Sequence, residues 1–448
     1  MILPDGGAAG PVVIALPALG ASLLLVTPLC VAGWKRLAQG YLDHMAAPPL
    51  PDPNAYDEYV ELSRRLGPPA LEPPEQPLPE GDGFPERPAV TEAERLARDR
   101  RQVEASSKIL AGIRRALPMG YQEPLTWVPG GSPHYQYRQM ACLLSAEGRL
   151  KEQDGDLAGA LASYLDVIEM GVQIGRNAVY AGLLVGLAVE AIGLRRALMV
   201  AERLCAEDAR VGARRLEQIA ARRSGFVDPV MAECRLGLVC LLDQLQQLTS
   251  SGGHRPSWRP SRGPLSGDGP TPELGRDVRR HGKEGVVRGF VSMMDRHVSE
   301  AAGPYVLATW DVRARGRAGR RQQVPEWVAL WSSTGRSVWT QYLKSRTGMA
   351  VLLVRLALQA YHLEHGRHAE CLGDLVPEYL SEAPDDPFAA SGPLICRREG
   401  EGFTLYSVGP DGVDDGGRPI EDPKGEGRLR HAVFPGSRGD IVSGVNTW

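Results

Sequence analysis

A mainly α-helical protein with a small α+β module at its C-terminal end is the fold class that the sequence predicts. Three observations predict it. Apolar residues recur at helical spacing from Thr91 onward, whereas strand-like alternation is confined to LICRR and FTLYSV near the end. An uncharged apolar run, Pro11 to Trp34, adds an N-terminal membrane helix. Pro-rich and Gly-rich stretches mark the boundaries between these parts.

Composition narrows the function classes before any motif is read. The chain has 448 residues, enough for more than one core, with 43% apolar and 23% charged residues, as in ordinary globular proteins. A net charge of -3 argues against a nucleic-acid binder, which would carry a basic face. The 7 cysteines form no C-x-x-C pair and no zinc-ribbon spacing. Cys371 and Cys396 are the pair that an oxidising compartment would allow to join; two unpaired thiols are the expectation.

The elements follow in order. At about 1.5 Å per residue, Pro11 to Trp34 is long enough to cross a hydrocarbon core of about 30 Å, and Trp34 with Lys35-Arg36 resembles an interfacial anchor. Residues 1–45 are therefore expected to be a single-pass anchor in the cell membrane. Residues 46–90 are dense in proline and read as a tether, interrupted by an amphipathic piece from Tyr56 to Leu66. Residues 91–249 are expected to be a helical domain. It opens with Thr91 as N-cap and Glu94 at capping-box spacing, in a helix running to about Ala116. AVYAGLLVGLAVEAIGL is apolar on nearly every side except Glu190 and reads as a buried core helix. Residues 250–275 are low-complexity and expected to be disordered; 276–346 continue the helical region, with a solvated loop at Arg313, Arg315, Arg317, Arg320 and Arg321.

The stretch RQMACLLSAEGRLKEQDGDLAGALASYLDVIEMG divides into two helices around Asp154-Gly155-Asp156. Gly148 and Ala160 allow close approach and Tyr164 supplies a plug. On these three positions the hairpin resembles a tetratricopeptide repeat; an ordinary αα-hairpin in a helical domain is the competing account. Leu144 stands where that family has Trp, and Val172 replaces its closing Pro.

Residues 347–448 change character. TGMAVLLVRLALQAYHLEHG is a helix with one polar stripe, Arg355, Gln359 and His362, and Gly366 as its C-cap. A short helix LGDLVPEYL, the turn PDDPF, a hairpin, the loop LYSVGPDGVDDGG and a terminal GDIVS follow. In this order they resemble the globular part of the type II secretion major pseudopilins. The resemblance implies a pilin-like module whose loop after the last hairpin binds calcium. The candidate metal ligands, by position, are Asp411, Asp414, Asp415 and Asp440. Calcium takes six to eight oxygens, which aspartates and turned-in carbonyls of a Gly-rich loop supply. A solvated turn is the competing account of the same residues. The whole layout resembles membrane-anchored bacterial proteins that join a helical region to such an ending.

Catalytic patterns are sparse. His362, His365 and His368 stand at i, i+3 and i+6, which fits neither H-E-x-x-H nor its inverse, so a histidine-rich helix end is expected. The expected function is a non-catalytic envelope protein that binds a protein partner through its helical region, with calcium as the one cofactor and no nucleic acid. The alternative is a hydrolase whose site assembles only in the fold, gathering Glu147, Glu190 and a histidine around a metal. Lys35-Arg36 place the bulk of the chain in the cytoplasm by the positive-inside rule. The resemblance implies the extracytoplasmic side.

Overall fold

A computed structural model of the chain describes residues 12–13, 25–26, 33–45, 47–66, 91–124, 134–248, 272–305, 326–400, 402–422, 425 and 427–446. They form a mainly helical body with a small antiparallel sheet. Of the apolar run Pro11 to Trp34, Val12–Val13 (β1) pairs antiparallel with Leu25–Val26 (β2). Helix α1, Gly33–His44, starts at the end of the run. The rest of the predicted membrane helix lies outside the described residues, as do most of the low-complexity segment and the arginine cluster at 313–321.

The helices are α2 (Ala55–Arg65), α3 (Glu92–Ala105), α4 (Ser107–Ala116), α5 (His134–Gln153), α6 (Leu157–Ile174) and α7 (Tyr180–Ala201). They continue as α8 (Ala206–Ala221), α9 (Val227–Gln247), α10 (Pro272–Ala301) and α11 (Glu326–His365). The capping box is formed: the Glu94 amide donates to Thr91 Oγ1 at 3.2 Å and the Thr91 amide to Glu94 Oε2 at 2.9 Å. The predicted helix from Thr91 breaks at Ser106 into α3 and α4, because Ser106 leaves helical geometry at φ -109 and ψ 16.

The α5–α6 hairpin closes as its small residues dictate. A Cβ on Gly148 would lie 2.3 Å from Tyr164 Cε1, so only glycine lets the ring lie there. The next crossing meets backbone instead of a side chain. A Cβ on Gly186 would fall 2.6 Å from the Gly171 carbonyl oxygen, and one on Gly193 2.6 Å from that of Tyr164. Helices α6 and α7 therefore touch backbone to backbone. Among the described residues α6 is the one helix long and apolar enough to cross a membrane, but 72% of it is buried in the body. Helix α7 is a core helix as predicted, with Glu190 fully buried.

Two expected boundaries are drawn differently by the chain. Within the 46–90 segment, α2 is built into a core: Tyr59 and Leu62 are buried against Ile113, Tyr121 and Tyr137. The tyrosine hydroxyl donates to Gln173 Oε1 at 2.5 Å. No break falls at 346/347 either, because α11 runs straight through it. Its first half, with Val338, Trp339 and Tyr342, packs against α10 and shares an apolar cluster with residues of α1 and α9. Its second half, from Met349 to Tyr361, packs against α6, α7 and α8. The apolar circumference read from TGMAVLLVRLALQAY is covered by helices on one side and by the sheet on the other.

The sheet has strand order β3 (Ile395–Glu399), β4 (Gly402–Ser407), β5 (Ile441–Val442). Cys396 pairs with Leu405, and Tyr406 with Val442. LICRR and FTLYSV are thus the predicted hairpin. LGDLVPEYL supplies a 3-10 turn at Leu372–Leu375 rather than an α-helix. Leu405 and Cys396 enter one apolar cluster, Val408 and Ile441 the other, so sheet and helices share their cores.

The candidate Asp/Gly loop and the buried ion pairs

The loop after β4 is shaped by glycines in left-handed conformation, Gly409 (φ 69), Gly416 (φ 72) and Gly417 (φ 88), where a side chain would be strained. Asp440 comes up beneath it from the residue before β5 and is fully buried. Its Oδ2 accepts the Gly417 amide at 2.7 Å and its Oδ1 the Asp415 amide at 3.3 Å. Burial raises the Asp440 pKa; the two amides work against that, and the charges of Asp414 and Asp415 add to it.

The four predicted metal ligands are placed as follows. Asp414 accepts from the Tyr406 hydroxyl at 3.0 Å and from the Gly416 amide at 2.9 Å, with Arg397 at 3.5 Å. Asp411 is exposed and accepts only from the Val413 amide within its own turn, at 3.4 Å. Asp415 presents its amide, not its carboxylate, to Asp440. Asp414 and Asp415 lie near enough to Asp440 for their charges to act on it. Among the described residues no three His, Cys, Asp or Glu side chains form a group that could hold a metal ion. Around Asp440 two backbone N–H groups converge on the carboxylate, an arrangement that satisfies its oxygens within the loop.

A second carboxylate holds the same loop from the other side. Asp386, buried, accepts from Ser407 Oγ at 2.6 Å, the Val408 amide at 2.8 Å and the Phe388 amide at 3.0 Å. Sequence reading took PDDPF as a turn and missed this. The signal available was an acid in a Pro-flanked turn beside strand residues.

The carboxylates proposed for a hydrolytic site are committed elsewhere. Glu147 receives the Arg114 guanidinium, the Lys151 ammonium at 3.3 Å and the Ser163 hydroxyl at 2.6 Å. Burial alone would raise its pKa, but these partners outweigh it and hold the carboxyl at about 2. Glu190 receives Arg223 and Ser345 and meets no histidine. Asp166 links Arg114 at 2.8 Å to Arg215, and Glu169 links Arg215 to Arg222. The result is a ladder of ion pairs tying α4, α5, α6 and α8 together.

The histidines diverge. His362 stacks on His368 with ring centroids 4.3 Å apart, and His368 meets the edge of Phe403. His365 turns to Tyr379, whose hydroxyl is 3.1 Å from its Nε2. The polar stripe of α11 is spent on fixing neighbours: Arg355 on Glu202 and Ser443, and Gln359 on the Leu204 carbonyl at 3.0 Å. Cys371 and Cys396 are free thiols, and burial pushes the Cys396 pKa up to about 11.

The chain matches no protein-family model, no curated protein and no solved structure. The resemblance to the pseudopilins rests on the residues that carry it.

Proposed function

We propose that this chain is a membrane-held scaffold that binds a protein partner through its helical body, and not an enzyme. The observation that carries the partner reading is the outward face of α7. Ala181, Leu184, Ala188, Ala191, Arg195 and Met199 are exposed there at helical spacing, with Leu184 39% and Met199 58% exposed. A largely apolar helix face of this kind is what an interface core uses. The ion-pair ladder supports the scaffold reading, because it spends the buried carboxylates on holding four helices in one arrangement.

The attachment is supported by α1. Trp34, expected at a lipid interface, is buried beside Ala38 and Met45 among side chains of α9 and α10. Lys283 of α10 lies 5.3 Å from its ring centroid. A membrane-embedded run ending before α1 would then hold the folded body through Trp34.

The test is site-specific photo-crosslinking in cells. A photoreactive residue at Leu184 or Met199 is expected to capture one discrete protein, and the same residue at exposed Arg214 of α8 is not. Equal capture at all three positions, or capture at none, would remove the partner face from the account.

A further inference from the structure

We infer that the cleft where α3 begins and α5 ends is a binding site for a small phosphate-like oxyanion. The cleft has a volume of about 160 Å³. Glu92 and Leu96 of α3 form one wall, Arg149 and Glu152 of α5 the floor, and Arg196 of α7 with Arg203 beyond it the other wall. Three guanidinium groups thus face two carboxylates.

Both carboxylates are already engaged. Glu152 accepts the Tyr164 hydroxyl through Oε1 and pairs with Arg203 through Oε2 at 3.3 Å. Glu92 pairs with Arg95 at 3.2 Å. Of the three cations, Arg149 is held by buried Asp99 at 2.7 Å. Arg196 is half-buried and makes no hydrogen bond or ion pair with any described residue. Arg196 lines the cleft, so its planar fork of donors is available to a ligand there. Such forks match the paired oxygens of phosphate, and partial burial strengthens the attraction. Arg203, paired on one side only, supplies a second fork. This site borders the partner face on α7, since Arg196 stands one turn before Met199 on that helix.

Phosphate in solution and the phosphate of a lipid headgroup share the required chemistry. Isothermal titration of the full chain at fixed ionic strength separates them, using inorganic phosphate in one arm and glycerol 3-phosphate in the other. Saturable one-site binding in either arm supports the cleft. Binding of inorganic phosphate alone identifies a free ion, and binding of the ester as well shows that the cleft admits an esterified phosphate such as a headgroup carries. Arg196→Gln is expected to weaken binding about tenfold, the loss of one charge-assisted hydrogen bond. Arg203→Gln, at a side chain already half exposed, is expected to weaken it too and stands in if the first variant does not fold. No binding in either arm overturns the inference. So does binding that a folded Arg196→Gln protein retains in full.

Discussion

Asp440 sets what the Asp/Gly loop is at the level of single side chains. Its two oxygens take two loop amides, and Asp386 takes two more backbone amides at the neighbouring turn. Asp440→Asn keeps the shape but replaces one acceptor by an NH2 group facing an N–H. It is expected to cost about 1–3 kcal/mol, read as a lower melting midpoint of the full chain. Because the loop closes on its own hydrogen bonds, the wild-type midpoint is expected to be the same in millimolar calcium and in chelator. A calcium-dependent rise that Asp440→Asn abolishes would show instead that the loop takes an ion. The aspartates were legible in the sequence as a cluster. Which groups they face was not, because that depends on Asp440 arriving from beneath the loop after a long excursion of chain.

At the scale of elements, the α6–α7 crossing is a backbone-to-backbone contact. Gly186→Ala would drive a methyl into the Gly171 carbonyl and is expected to lower stability by about 2 kcal/mol. Gly225→Ala, where the new methyl meets nothing within 4 Å, is the control and should change it little. Urea unfolding of the two variants decides this, and equal midpoints would contradict the packing. Local signals predicted much at this scale. Thr91 and Glu94 marked a helix start, Gly148 and Tyr164 a hairpin, and LICRR with FTLYSV a pair of strands. Each rests on residues a few positions apart or on a fixed period. Helix α2 was visible as an amphipathic piece, but its burial was hidden by the prolines around it. What buries it comes from α4 and α5, far along the chain.

For the whole molecule, the sequence divides the chain where its composition changes, and among the described residues one of those divisions falls inside a helix. Helix α11 crosses the expected boundary at 346/347, and two of the three apolar clusters contain helix and sheet residues. Composition reports where residues change character; it does not report which surfaces share a core. The same holds at the other end, where Trp34 is an anchor by pattern and a core residue by packing. This geometry makes α1 the link between the apolar run and the body. Flotation of the full chain with phospholipid vesicles, beside a chain lacking residues 1–32, tests that link most directly. The full chain is expected to rise with the vesicles, and the shortened chain, still helical by circular dichroism, to stay at the bottom of the gradient. A full chain that stays down, or a shortened chain that floats equally well, would contradict the account.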